Sequence, residues 1–109
     1  MKSEIAVAAL NALANEHRLA VFRALVQKGP EGLAAGAIAD ALDLPASSLS
    51  FHLAHLTRVG LIVQRRESRS LIYSADFAVM NGLVGFLTEN CCGGASCAPA
   101  ASPKKRKAS

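Results

Sequence analysis

The amino-acid sequence predicts a mainly α-helical fold with a small β-hairpin. Two observations lead to this prediction. Apolar residues recur at helical spacing in five separate segments. A further segment, residues 61–74, has two runs of β-branched and apolar residues around a polar centre, which is typical of a hairpin. The chain has 109 residues, of which 51% are hydrophobic and only 5% aromatic, so its core must consist mainly of Leu, Val, Ile and Ala.

The first two predicted helices lie before a clear break in the pattern. Residues 3–13 are rich in alanine, which favours a helix and allows a neighbouring helix to approach closely. Asn15 is the predicted N-cap of a second helix over residues 16–28. Its expected core-facing residues are Leu19, Phe22, Leu25 and Val26. The sequence Gly-Pro-Glu-Gly at 29–32 then predicts a loop.

Two further helices follow, joined by the tight link at residues 43–45. The shorter one spans about Ala34–Leu42. The longer one begins at Pro45 and ends at Gly60, which stands where a left-handed C-cap belongs. Its expected apolar stripe consists of Leu49, Leu53 and Leu56, widened by Phe51 and Val59. This helix–turn–helix order, followed by a hairpin, predicts a winged helix-turn-helix with five helices and a two-stranded wing.

The polar face of the longer helix contains no acidic residue. Its side chains donate or accept hydrogen bonds, and they are Ser47, Ser48, Ser50, His52, His55 and Arg58. We expect Ser47, Ser48, Ser50 and His52 to contact base edges or adjacent phosphates of double-stranded operator DNA. Arg65, Arg66 and Arg69 cluster near the hairpin tip, where guanidinium groups bind the DNA backbone. The alternative for these arginines is an ordinary charged hairpin.

The last predicted helix runs from Asp76 to about Asn90 and is apolar on more than one face. Its apolar residues are Phe77, Val79, Met80, Leu83, Val84, Phe86 and Leu87. One stripe serves the core of a monomer, and the remainder would be exposed without a partner. The pattern therefore predicts a homodimer with the terminal helices at its interface. The alternative is a last helix covered entirely by its own chain.

Three cysteines, Cys91, Cys92 and Cys97, lie within seven residues directly after this helix. Soft thiolates select thiophilic ions, whereas a structural zinc site normally needs four ligands. His52 and His55 lie on the predicted DNA-reading helix, so a fourth ligand is not obvious. Three thiolates suit arsenic(III) or antimony(III), and bismuth(III), lead(II) or a monovalent metal are chemically reasonable too.

A redox switch and inert free thiols remain alternatives. The cluster lacks a Cys-x-x-Cys motif and a neighbouring base, so no enzyme is expected.

Net charge and hydropathy indicate what kind of partner the protein has and where in the cell it is expected. The net charge of +4 and the pI near 9.3 suit a polyanionic partner. The sequence predicts neither a signal peptide nor a transmembrane segment, so a cytoplasmic protein that does not bind membranes is expected. We expect one DNA-binding and dimerisation domain over residues 1–90. Residues 91–109 are expected to hold the inducer site and a disordered basic tail, whose role the sequence leaves open.

Three stretches together resemble the ArsR/SmtB family of bacterial metalloregulators. They lie at residues 13–25, 38–42 and 50–62, and the ending Thr88–Cys92 with Cys97 resembles the arsenic-responsive repressors with a C-terminal three-cysteine site. The resemblance implies a homodimeric repressor that releases its operator when an inducer binds. Other members carry Cys-x-Cys where this chain has Ala39-Asp40-Ala41, or histidines in the last helix, which this chain lacks. Related proteins respond to inorganic or to methylated arsenicals, and the third cysteine favours arsenite.

Overall fold

The computed structural model describes residues 1–94 of the chain. Five α-helices and three β-strands make up the fold of these residues. They are α1 (Ser3–Leu13), α2 (Glu16–Lys28), β1 (Leu33–Ala34), α3 (Ala35–Leu42), α4 (Ala46–Arg58), β2 (Ile62–Glu67), β3 (Ser70–Ala75) and α5 (Phe77–Leu87). A short 3₁₀ turn, Cys91–Gly94, follows α5.

The five predicted helices are confirmed, and their ends follow the local chemistry of the sequence. The side chain of Asn15 accepts hydrogen bonds from the backbone N–H groups of His17 and Arg18, both at 3.0 Å. Asp76 caps α5 in the same way, through the N–H of Val79. Gly60 has a φ of 85°, and the N–H of Leu61 donates to the carbonyl of Leu56, which closes α4 as a glycine C-cap does. α5 is shorter than predicted and ends at Leu87.

The prediction of a two-stranded wing was incomplete, because the sheet has three strands in the order β1-β3-β2. The predicted hairpin is present, with Ile62 opposite Ala75 and Glu67 opposite Ser70. Strand β1 adds only two residues, paired antiparallel with Tyr73 and Ile72 of β3. This short strand joins the wing to the chain just before α3, so the wing is held against the helix-turn-helix.

One core lies between the helices and the base of the sheet. Its fully buried larger side chains are Val21, Leu25, Ile38, Leu49, Leu56, Leu61 and Ile62. α1 contributes Ala6, Ala9 and Ala12, whose small side chains allow close helix packing. Two residues predicted for the core, Leu19 and Phe51, are instead exposed. Both lie on helices whose other apolar residues already fill the buried face. Within residues 1–94, no helix is long and apolar enough to cross a membrane.

Candidate nucleic-acid interface

Helix α4 presents a polar, acid-free surface because three leucines fix its orientation. Leu49, Leu53 and Leu56 are all at most 3% exposed and anchor one side of the helix in the core. On the other side, Ser47, Ser48 and Ser50 are exposed, so their hydroxyl groups are accessible to a partner. Asp43 is the nearest acidic residue before α4, and no acidic residue lies within the helix. This surface is free of the charges that phosphate would repel.

His52 lies at the edge of this surface, next to α2. Its ring centroid is 5.7 Å from that of His17, and its Nδ1 is buried without a hydrogen-bond partner among the described residues. Burial, and then the nearby positive charge of Arg18, lower the pKa of His52 below its usual value of 6.5. The pKa of His55 is lowered by the same two causes in the same order, and then by Arg58. His52 therefore faces partly toward α2, and its role as a DNA contact stays a prediction.

The three arginines of the wing have different surroundings. The guanidinium of Arg65 donates to Glu67 at 2.7 Å and to the backbone carbonyls of Glu31 and Pro30 at 2.7 and 3.3 Å. Arg66 and Arg69 make no side-chain hydrogen bond or ion pair with any other described residue. Alternation along β2 places Arg66 on the opposite face of the strand from Arg65. The structure thus leaves two of the three arginines available for phosphate.

A cleft of about 390 Å³ separates α4 from the sheet. Its polar lining includes Ser50 and Arg58 from α4 and Gln64 and Tyr73 from the strands. Gln64 and Tyr73 are direct cross-strand partners, so their side chains share the face of the hairpin that looks toward α4. The sequence alone did not predict that Gln64 and Tyr73 line this cleft. Their position becomes clear only from the register of the hairpin. Gln64 and Arg66 lie on the same face of β2, which connects the cleft with the free end of the wing.

The cysteines begin shortly after α5. Cys91 and Cys92 are exposed in the 3₁₀ turn, and their sulfur atoms are 3.7 Å apart. Cys97 and the basic tail lie outside the described residues. Within residues 1–94, no group of three or more His, Cys, Asp or Glu side chains is arranged to hold a metal ion.

Comparison with known proteins agrees with this architecture. A family described as a helix-turn-helix domain matches residues 13–65. The nodulation protein NolR of Rhizobium meliloti is 34% identical over 87 residues, which cover 80% of this chain and 69% of NolR. The structure of HlyU from Vibrio cholerae superposes with a TM-score of 0.66 at 32% identity, covering 84% of this chain and 99% of HlyU.

A second similar structure carries the family name. It is the homodimeric winged helix-turn-helix domain of Mb0332 from Mycobacterium bovis, described as a possible ArsR-family regulator. It is 28% identical, with a TM-score of 0.63, and the match covers 84% of this chain and 85% of that domain. The chain belongs to the ArsR family. This ArsR-family protein is accordingly a transcriptional regulator with a DNA-binding fold and not an enzyme.

Proposed function

We propose that this ArsR-family protein is a homodimeric repressor that binds operator DNA and releases it when arsenic(III) binds Cys91, Cys92 and Cys97. Antimony(III), which has similar thiophilic chemistry, is expected to act in the same way. The observation that carries the proposal is the position of the cysteines. The first two sulfur atoms lie 3.7 Å apart just after the apolar helix α5, on an element separate from the DNA-reading helix and the wing.

Several features support the DNA-binding part of the proposal. Serines are exposed along an acid-free helix, and two wing arginines, Arg66 and Arg69, have no side-chain partner within residues 1–94. Phosphate binding by arginine supplies affinity that depends on salt, whereas hydrogen bonds from α4 to base edges supply sequence specificity. The related protein HlyU is named a transcriptional activator, so repression is proposed from the resemblance of the C-terminal cysteine segment to arsenic-responsive repressors and not from that relative.

Dimerisation is supported by the apolar surface that α1 and α5 expose. Ile5, Val7 and Leu10 on α1 and Val84 and Leu87 on α5 are all at least 40% exposed. The two helices contact each other, so these side chains belong to one end of the molecule. A surface of this kind favours burial against a second copy. The similar Mb0332 domain is described as homodimeric.

This arrangement supports coupling between the proposed cysteine site and the DNA-binding surface. The cysteine turn follows α5, and α5 is one of the two helices of the proposed dimer surface. Binding an ion to thiols on both sides of residues 93–96 would fix the turn relative to α5 and so alter the setting of one protomer against the other. A hundredfold loss of DNA affinity needs only about 2.7 kcal/mol of discrimination between the two states. Several ion–thiolate bonds readily supply that amount.

A fluorescence-anisotropy titration tests the proposal. The reduced protein is first used to select duplexes from a random pool, and binding to a selected duplex is then measured with and without sodium arsenite. We expect arsenite to raise the Kd at least a hundredfold. Cys91→Ser and Cys97→Ser should each abolish this response and leave the affinity without arsenite unchanged. Operator binding that persists in excess arsenite under reducing conditions would contradict the arsenic assignment.

A thiol redox switch is the second candidate, because Cys91 and Cys92 are exposed to an oxidant and one related structure is described as reduced HlyU. Two thiols would lose two protons and two electrons to hydrogen peroxide, which becomes two water molecules, and a disulfide would form. Release of DNA by peroxide alone, with no response to arsenite, would favour this candidate. A repressor that responds to another thiophilic metal or to an organoarsenical would be distinguished by repeating the titration with those compounds.

A further inference from the structure

We propose that Phe51 determines part of the DNA sequence specificity by contacting the C5-methyl group of a thymine in the major groove. The inference rests on the proposed DNA-binding function and adds an apolar contact to it. Phe51 is 69% exposed, the largest exposed fraction among the large hydrophobic residues that the structure describes. Nothing in the fold of the monomer accounts for an aromatic ring at this place.

The direction of the side chain follows from helix geometry. Successive residues of an α-helix are turned by about 100°, which places Phe51 roughly 165° away from the mean direction of the three buried leucines. Ser47 and Arg58 lie within about 40° of Phe51 on the same count. Phe51 therefore lies at the centre of the surface that α4 presents to solvent, whereas His52 lies at its edge.

The neighbours of Phe51 distinguish its surface from the apolar surface of α1 and α5. On those helices exposed apolar residues adjoin one another, as a protein–protein contact requires. Phe51 lies one helical turn from Ser47, Ser48 and His55, with the ring of His52 edge-on at 6.0 Å. A protein partner that covered the ring would also bury these hydrogen-bonding groups. DNA instead offers phosphates and base edges for the polar groups and an apolar methyl group for the ring.

The chemistry of the major groove supplies one apolar feature for such a side chain. Thymine is the only one of the four bases with a methyl group there, and apolar side chains such as phenylalanine recognise it by contact. The ring is held on a regular helix and has only two rotatable bonds, so little conformational freedom is lost on binding. Phe51 would then help to distinguish A·T pairs from G·C pairs, a distinction that the surrounding serines alone make less well.

The test combines a side-chain change with removal of the methyl group. Duplexes are selected from a random pool by the reduced full-length protein. Each thymine is then replaced singly by deoxyuridine, which lacks only the methyl. For the wild-type protein we expect one position in each half-site at which this replacement raises the Kd about fourfold, the factor that corresponds to one buried methyl group. Phe51→Ser should lose the sensitivity at that position alone. Val63→Ser, which removes another exposed apolar side chain outside the surface of α4, should retain it.

The outcomes separate this inference from the proposed function. Equal deoxyuridine penalties for wild type and Phe51→Ser at every position would overturn the role of Phe51 while leaving DNA binding intact. A Phe51→Ser protein that sediments as a monomer where the wild type is a dimer would assign the ring to a protein interface and overturn it as well. Failure of the wild-type protein to select any duplex would overturn the proposed function, and this inference with it.

Discussion

At the scale of single residues, the pair His17 and His52 shows how packing changes a side chain that the sequence places among DNA contacts. A histidine at the edge of a helix's exposed surface also contacts the neighbouring helix or strand that packs against that helix. Here α2 brings a second imidazole ring and the guanidinium of Arg18 close to His52. His55 adds a smaller effect of the same sign on the pKa of His52. The neutral ring is therefore favoured over the charged ring that could attract phosphate.

A pH titration followed by NMR tests this arrangement. We expect the His52 ring to titrate below 6.5, and His17→Gln to move its pKa back toward 6.5, because one of the like charges that act on it is removed. Since the unfolded chain binds this proton more readily than the folded one, His52 contributes stability above pH 6.5 that is lost as the pH falls through its lower folded-state pKa. A pKa of His52 that His17→Gln leaves unchanged would mean that burial, Arg18 and His55 account for the shift.

At the scale of elements, the short strand β1 depends on a close approach just before it. Gly32 has a φ of 71°, and a Cβ at this position would collide with the backbone oxygen of Tyr73 and lie 2.9 Å from Cγ2 of Ile72. The neighbouring Gly29 also has a positive φ, of 89°, but a Cβ there would meet nothing within 4 Å. An added side chain would therefore strain the backbone at both positions, but only at Gly32 would it also collide with neighbouring atoms.

This difference predicts unequal effects of two alanine substitutions. Gly29→Ala should lower the free energy of unfolding by about 1–3 kcal/mol, because its φ of 89° and ψ of −166° lie in a region that only glycine adopts readily. Gly32→Ala should cost at least about 1 kcal/mol more, because β1 must also move away from β3. Urea denaturation followed by circular dichroism measures both. Equal decreases in the free energy of unfolding would mean that β1 moves away from β3 at no cost and that the collision does not affect stability.

The wing permits a similar matched comparison. Arg66 has no side-chain partner among the described residues and lies on the face of β2 that it shares with Gln64, whereas Arg65 is engaged by Glu67 and two loop carbonyls. Arg66→Gln should weaken binding to all duplexes alike and reduce the slope of log Kd against log salt by about 1. Arg65→Gln should reduce this slope by less. Anisotropy titrations between about 50 and 200 mM salt measure both slopes. The reverse order would indicate that Arg65 leaves the loop to bind phosphate.

The elements also show which parts of the fold the sequence could predict. Helix positions and caps were predictable, because Asn15, Gly60 and Asp76 act on groups within a few residues of themselves. Strand β1 was missed, because its two residues acquire a strand conformation only through pairing with β3, about 40 residues later. Phe51 was assigned to the wrong face, since hydrophobicity alone does not show that three leucines already fill the core-facing stripe. The shared face of Gln64 and Tyr73 could not be predicted, because it depends on the register of the hairpin.

At the scale of the whole molecule, a single chain leaves apolar surface uncovered at the end formed by α1 and α5. Val7 is 61% exposed and Leu87 is 59% exposed, although each directly follows a residue that packs in or against the core. Under the proposed function, the α4 helix and wing of one protomer would contact a single half-site, and a two-fold dimer would place two such units about 10 base pairs, or a multiple of that, apart. The affinity of the protein for a two-site operator should thus depend on this surface.

Charge substitution on the surface tests this dependence. Leu87→Glu should convert a dimer into a monomer in sedimentation velocity runs, because two carboxylates would approach each other across a two-fold interface or lie buried in it. Operator affinity should then fall by at least about tenfold, while binding to a single half-site stays unchanged. Val63→Glu introduces the same charge at another exposed apolar residue, on the wing, and should leave the protein dimeric. A dimer that survives Leu87→Glu together with Val7→Glu would place the interface on a different surface and would remove the proposed route from the cysteine turn to the DNA.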